Sequence, residues 1–219
     1  MTLTVQRETN APLHLELLPQ RLVRIPDLQA LILSDVHLGK AAHFRQHGIP
    51  VPDGGANADL AMLSMMVRKT NASVYIVGDL VHAGYNDEWE RFAEARATWL
   101  VDVHVVRGNH DVLVDKYARA LGLQVHDSLM LDSIQLVHDP KDAKPNAVLS
   151  ICGHVHPSVS VKSGRHVSDR IPCFHYTMQA HGTTLLLPAF GSFTGSKPIT
   201  RTKADRVFGI VGEEVIEIP

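Results

Sequence analysis

Five short segments constrain this chain more than any other feature. In order they are Ser34-Asp35-Val36-His37, Gly78-Asp79-Leu80-Val81-His82, Gly108-Asn109-His110-Asp111, His138 after Leu136-Val137, and Gly153-His154-Val155-His156. Each follows an apolar run, and each puts Asp, Asn or His where a strand should end. Open α/β sheets bind ligands outside the carboxyl ends of their strands, and these positions obey that rule. A lone Asp-x-His or Gly-Asp means little. Gly-Asn-His-Asp and Gly-His-x-His are more specific, and the full series in one chain points to a metal site. The spacing of Asp35 and His37, repeated by His154 and His156, predicts side chains on one side of an extended chain. Mixed imidazole and carboxylate suit Mn, Fe or Zn better than Ca. The two oxygens of Asp79 could bridge a metal pair. Gly78, Gly108 and Gly153 allow close backbone approach beside a crowded centre.

The runs between these segments set the fold. Leu13–Leu18, Arg21–Ile25, Leu28–Ser34, Ser73–Val77 and Asp102–Val106 read as strands, with helices over Asn57–Lys69 and Asn86–Leu100. Strand alternating with helix predicts a parallel sheet with crossover helices. Beyond Leu121 short strands dominate: Leu129–Val137, Ala147–Cys152, Val159–Lys162, Cys173–Met178, Thr183–Leu187, Val207–Val211 and Glu214–Ile218. That half reads as antiparallel. The expectation is a four-layer α/β fold, two packed β-sheets flanked by α-helices, in a single domain over residues 1–219.

Composition narrows the class. The 219 residues are 45% hydrophobic with a formal net charge of -2, which argues against wholesale coating of nucleic acid or membrane but allows a local basic groove. Histidine is abundant, at 14 residues, and it is the commonest metal ligand. Cys152 and Cys173 fit no zinc spacing and read as reduced, buried thiols. With no apolar stretch long enough to span a bilayer and no signal-peptide order at the start, a cytoplasmic location is expected.

The order of the five segments resembles the calcineurin-like binuclear metallophosphoesterase superfamily. That resemblance implies a double sheet sandwich and two divalent ions. One would be held by Asp35, His37, Asp79 and His156, the other by Asp79, Asn109, His138 and His154, with Asp79 shared. It implies that His110 contacts the phosphate and acts as general acid, and that Asp111 orients it. The stretch from Ser34 through Arg45, with Gly48, Val51 and Pro52, is similar to the ligase-associated DNA-damage-response endonucleases, as is Leu187-Pro-Ala-Phe-Gly-Ser-Phe-Thr-Gly195. That family implies a manganese-dependent endonuclease on single-stranded DNA, associated with a DNA ligase, a helicase and an exonuclease in bacterial repair. Protein Ser/Thr phosphatases fit less well, because they carry Arg where Ala83 stands and Glu where Asp111 stands.

Substrate contacts are more open. Lys40, His43, Arg45 and Arg107 could hold phosphates or be solvated charges. His82 could lie by the active site or serve as packing. Lys162, Arg165, Arg170, Lys197, Arg201 and Lys203 could form a basic groove. Phe190 and Phe193 could stack on bases or pack in the core. The alternatives to a DNA endonuclease are a phosphodiesterase or phosphatase for small molecules such as cyclic nucleotides, and a scaffold that has lost its chemistry.

Overall fold

A computed structural model describes residues 1–7, 11–49, 55–82, 86–112, 114–163, 167–179 and 182–219. Val51, Pro52, Ala83 and Arg165 lie outside the described residues, and so does the side chain of Lys162. The first sheet holds seven strands in chain order: β1 (Thr2–Val5), β2 (Leu13–Leu18), β3 (Leu22–Ile25), β4 (Ala30–Leu33), β5 (Ser73–Val77), β6 (Val103–Val106) and β7 (Leu123–His126). Pairings from β1 to β4 are antiparallel, and those from β4 to β7 are parallel. The strand β4, Ala-Leu-Ile-Leu, is buried at every position. A continuous apolar run suits a strand covered on both faces.

Four helices connect this half: α1 (Lys40–Gln46), α2 (Gly55–Thr70), α3 (Asp87–Ala97) and α4 (Val114–Ala118). The start of α3 is fixed by Asn86, whose side chain accepts the Glu88 N–H at 2.9 Å. Leu63 and Met66 of α2, Trp89 and Phe92 of α3, and Val114 of α4 share one apolar cluster with Leu31, Leu33 and Ile76 of the sheet. The second sheet holds β8 (Leu129–Leu131), β9 (Ile134–Leu136), β10 (Leu149–Cys152), β11 (Pro157–Ser163), β12 (Val167–Gln179), β13 (Gly182–Leu186), β14 (Lys197–Pro198), β15 (Arg206–Val211) and β16 (Glu214–Ile218). Its order is β14-β11-β12-β13-β10-β9-β8, with β15 on β12 and β16 on β15. Leu13, Leu15 and Leu17 of β2 meet Ile134, Leu149, Phe174 and Phe208 between the sheets. Each such side chain, fully buried, stabilises the fold by about 1.5–3 kcal/mol.

Two expectations change. The second half is not wholly antiparallel, since β10 runs parallel to both β9 and β13. Residues 137–148 cross over the outer face instead of turning back as a hairpin. Gln135 pins that crossover, because its Oε1 accepts the Lys144 N–H at 2.8 Å and the Ser150 hydroxyl at 3.1 Å. The run Leu129–Val137 is two strands, broken by a turn at Asp132, whose φ is 55°. Helices α2, α3 and α4 pack on the first sheet, while the crossover on the second carries a 3-10 turn at Pro140–Asp142. Cys152 and Cys173 are unpaired and buried, and burial pushes both thiols up to about 12.

Candidate metal centre

The loops after β4 and β5 are joined backbone to backbone. The Asp35 N–H donates to the Gly78 carbonyl at 3.0 Å, the His37 N–H to the Asp79 carbonyl at 2.9 Å, and the His82 N–H to the Leu38 carbonyl at 2.9 Å. Asp35, His37, Asp79, His154 and His156 all adopt the left-handed conformation, with φ of 56°, 53°, 52°, 67° and 51°. This corrects the expected extended spacing: Asp35 and His37 converge through left-handed kinks rather than strand alternation. Such a conformation costs a non-glycine residue about 1–2 kcal/mol, and strain of this kind gathers at functional sites.

The predicted residues meet. His156 Nε2 lies 3.0 Å from Asp35 Oδ1, His37 Nε2 lies 3.7 Å from Asp79 Oδ2, and His138 Nε2 lies 3.5 Å from the same oxygen. His138 Nε2 and His154 Nδ1 approach Asn109 Oδ1 at 3.2 and 3.0 Å. Asp35, His37 and His156 offer atoms close enough for one ion, and so do Asp35, Asp79 and His138. Asp35, His37, Asp79 and His138 are buried, whereas Asn109, His110 and His154 are exposed.

Carbonyl oxygens set the ring orientations. His138 Nδ1 donates to the Val77 carbonyl at 3.0 Å and His156 Nδ1 to the Gly195 carbonyl at 3.0 Å. Each contact leaves Nε2 facing the centre, the arrangement usual for metal-binding histidines. The Nε2 atom of His37 is buried without a hydrogen-bond partner. Buried polar atoms rarely go unpaired, so this donor set fits a cation. Burial, helped by Lys40, takes His37 down to about 3 and leaves its imidazole neutral. Burial opposes charge on His138, yet Asp79 and the Val77 carbonyl push it up to about 9. Burial also works against ionisation of Asp79, but His138 and the His110 N–H outweigh it and take the carboxyl down to about 2.

The glycines are needed where expected. Gly78 has φ +80°, and a Cβ there would overlap the His138 ring. A Cβ on Gly153 would sit 2.7 Å from Asp35 Oδ2. The C-terminal signature braces the same loops, a role its sequence did not disclose. The Phe190 and Gly191 N–H groups donate to the Ser34 and Asp35 carbonyls at 2.9 and 3.1 Å, and the Lys197 N–H to the His156 carbonyl at 2.9 Å. Phe190 is 4% exposed and belongs to the core. Phe193 is half-buried against Gly55.

Other predicted residues surround these loops. Asp111 is buried, next in the chain to the exposed His110. Its oxygens accept the Val81 N–H at 3.0 Å and the Gly108 N–H at 2.9 Å, so it braces two loops, and burial raises it to about 6. Arg107 is committed elsewhere: its guanidinium grips Asp115 through both terminal nitrogens and Asp127 through Nε. His82 lies by the centre, with its Nδ1 3.3 Å from His37 Nδ1 and its ring 4.8 Å from the His110 ring. Burial, then Lys40, His110 and His43, take His82 down to about 4. Lys40 is half-buried and feels both Asp35 and Asp79. The His43 ring is 5.6 Å from His82, while Arg45 is exposed on α1. In the expected basic groove, Lys197 adjoins His156. Arg170 donates to the Ser196 carbonyl at 3.2 Å, and Arg201 donates to the Pro219 oxygen at 2.6 Å. Asp139 was missed by sequence reasoning. Its Oδ2 stands 4.0 Å from His154 Nε2, one residue after His138, where only its position could have flagged it.

The family model of calcineurin-like phosphoesterases matches residues 28–177. The Pseudomonas putida nuclease MPE is similar over the full length of both chains, at 28% identity and a TM-score of 0.78. An archaeal phosphodiesterase shares 15% identity over 86% of this chain and 98% of its own, with a TM-score of 0.44. No curated protein matches the chain. Among the described residues, no helix is long and apolar enough to cross a membrane.

Proposed function

The chain belongs to the calcineurin-like phosphoesterase family, and from that premise we propose that it is a manganese-dependent endonuclease acting on single-stranded DNA. The observation that carries this reading is the full-length likeness to a nuclease, at 28% identity. In this reading residues 1–219 form one metallophosphoesterase domain at work in the cytoplasm. Association with a DNA ligase, a helicase and an exonuclease in bacterial repair is part of the same proposal and rests on the family resemblance.

Asp35, His37, Asp79 and His156 would hold one divalent ion, and Asp79, Asn109, His138 and His154 the other. The mixed nitrogen and oxygen donors suit Mn, with Fe and Zn as the other candidates. When bound, the ions supply Lewis acidity toward a phosphoryl oxygen and toward water. The protein's own residues do the remaining work. His110 is exposed beside this floor, and its N–H donates to Asp79 Oδ1 at 2.9 Å. That bond ties the His110 backbone to Asp79, and in this reading the exposed imidazole donates a proton to the departing sugar oxygen. Asp111 keeps the His110 loop in register with the Val81 backbone. Lys40 and His43 extend the site toward the flanking phosphate, and His82 holds the His37 ring.

The test is a metal-stripped sample given circular single-stranded DNA, with and without Mn, beside His110→Ala. A circle has no ends, so linearisation means internal cutting. Mn-dependent linearisation, lost in the variant, is the expected result. Failure to cut the circle, with hydrolysis of an aryl phosphodiester retained, would move the substrate to small molecules.

A further inference from the structure

The outer face of the second sheet carries a cavity of about 540 Å³ that the phosphoesterase chemistry leaves unused. Small-molecule sites occupy roughly 300–1,000 Å³. Its floor comes from side chains pointing away from the sandwich: His175 and Thr177 of β12, and Thr184 and Leu186 of β13. Pro140, Ala143 and Pro145 of the crossover form an apolar wall, with Lys141 beside them.

His175 is the unusual element. It is 7% exposed, and its Nδ1 has no hydrogen-bond partner. Its Nε2 faces Asp205 Oδ2 at 3.2 Å. Asp205 is itself held, since it accepts the Thr202 N–H at 2.7 Å and bonds the Thr177 side chain. The ring is therefore anchored from one side while its other nitrogen goes unsatisfied, which costs free energy unless a ligand or water pairs with it. Among the described residues lining the cavity, the groups able to carry charge are His175 and Lys141; no carboxylate lines it, and the exposed Lys141 Nζ lies 3.7 Å from Asp139 Oδ2 just outside. The hydroxyl of Thr184 adds a further donor.

We propose that this cavity is a second ligand site, built for a small organic anion. The anionic group would take Lys141 Nζ, the Thr184 hydroxyl and the Nδ1–H of a His175 imidazolium whose Nε2–H faces Asp205, and the body of the ligand would lie against Pro140, Pro145 and Leu186. No candidate metal ligand lines the cavity, and the proposal does not rest on the nuclease reading.

Calorimetric titration of the metal-stripped full chain tests it, with dAMP, phenyl phosphate and benzoate as probes and neutral deoxyadenosine as control. At least one anion should saturate a single site, and deoxyadenosine should not. Lys141→Glu, at an exposed position, and His175→Gln should each weaken binding by about tenfold or more, the loss of a hydrogen bond to a charged group. His154→Ala, in the candidate metal centre, should leave it unchanged. The proposal is overturned if no anion saturates at millimolar concentration, if deoxyadenosine binds equally well, or if binding survives both cavity variants.

Discussion

At the floor of the candidate centre, Asp35, His37, Asp79 and His138 are 0%, 4%, 3% and 4% exposed, and each is held by backbone or ring contacts. At its rim, Asn109, His110 and His154 stand in solvent. The floor spends conformational strain and buried charge on a fixed set of donors. At the rim Asn109 and His154 meet each other and would complete the second ion's donors, while His110 is the side chain left to meet a substrate. Floor residues should therefore govern ion affinity, and His110 at the rim should govern turnover after the ions are bound.

Asp79→Asn is the most severe way to probe that division. It removes the carboxylate facing both His37 and His138, and activity should fall to background with Mn retention lost on desalting, read by elemental analysis. Full activity in this variant would break the comparison at its strongest point. His110→Ala should cost about 10²–10⁴-fold in kcat on a DNA substrate, the usual contribution of a general acid, with Mn affinity unchanged. A parallel loss of Mn would move His110 to the floor. His82→Phe sharpens the boundary between the two regions. Without the contact to His37 Nδ1, Mn affinity should fall about 10–100-fold, measured by calorimetry. Smallest is Arg107→Ala, which removes exposed ion pairs with Asp115 and Asp127. The nuclease rate should hold and melting should shift only slightly, as exposed pairs contribute little. A large fall in DNA affinity would return Arg107 to the substrate surface.

Some of this was legible from residue order and some was not. The runs at β4, β5 and β10 are short and apolar, and the residues just past them are the ones that converge. Strand ends gather at one edge of a sheet, so ligand identity could be read locally. The way they converge could not. A spacing of two residues suggests an extended chain, and only the interlocked loops force Asp35 and His37 to left-handed φ. Parallel pairing of β10 with β9 and β13 was hidden for a related reason: a short apolar run carries no direction, and the crossover that sets it depends on Gln135. The helix α1 lies within the stretch that also carries the family likeness, and its seven residues give too little period to declare a helix. The fate of Arg107 turns on Asp115 and Asp127, which reach it only through the fold. Asp111 shows the same limit, because its partners at Val81 and Gly108 are backbone groups that no motif names.

The left-handed positions also carry a cost for the chain's history. Asp35, His37, Asp79, His154 and His156 hold conformations that glycine or asparagine would occupy more cheaply. Selection for catalysis therefore works against selection for a robust fold at five places at once. A descendant released from catalysis should drift toward glycine or asparagine there and melt at a higher temperature than its active ancestor. Thermostability gained by such changes would be a record of abandoned chemistry.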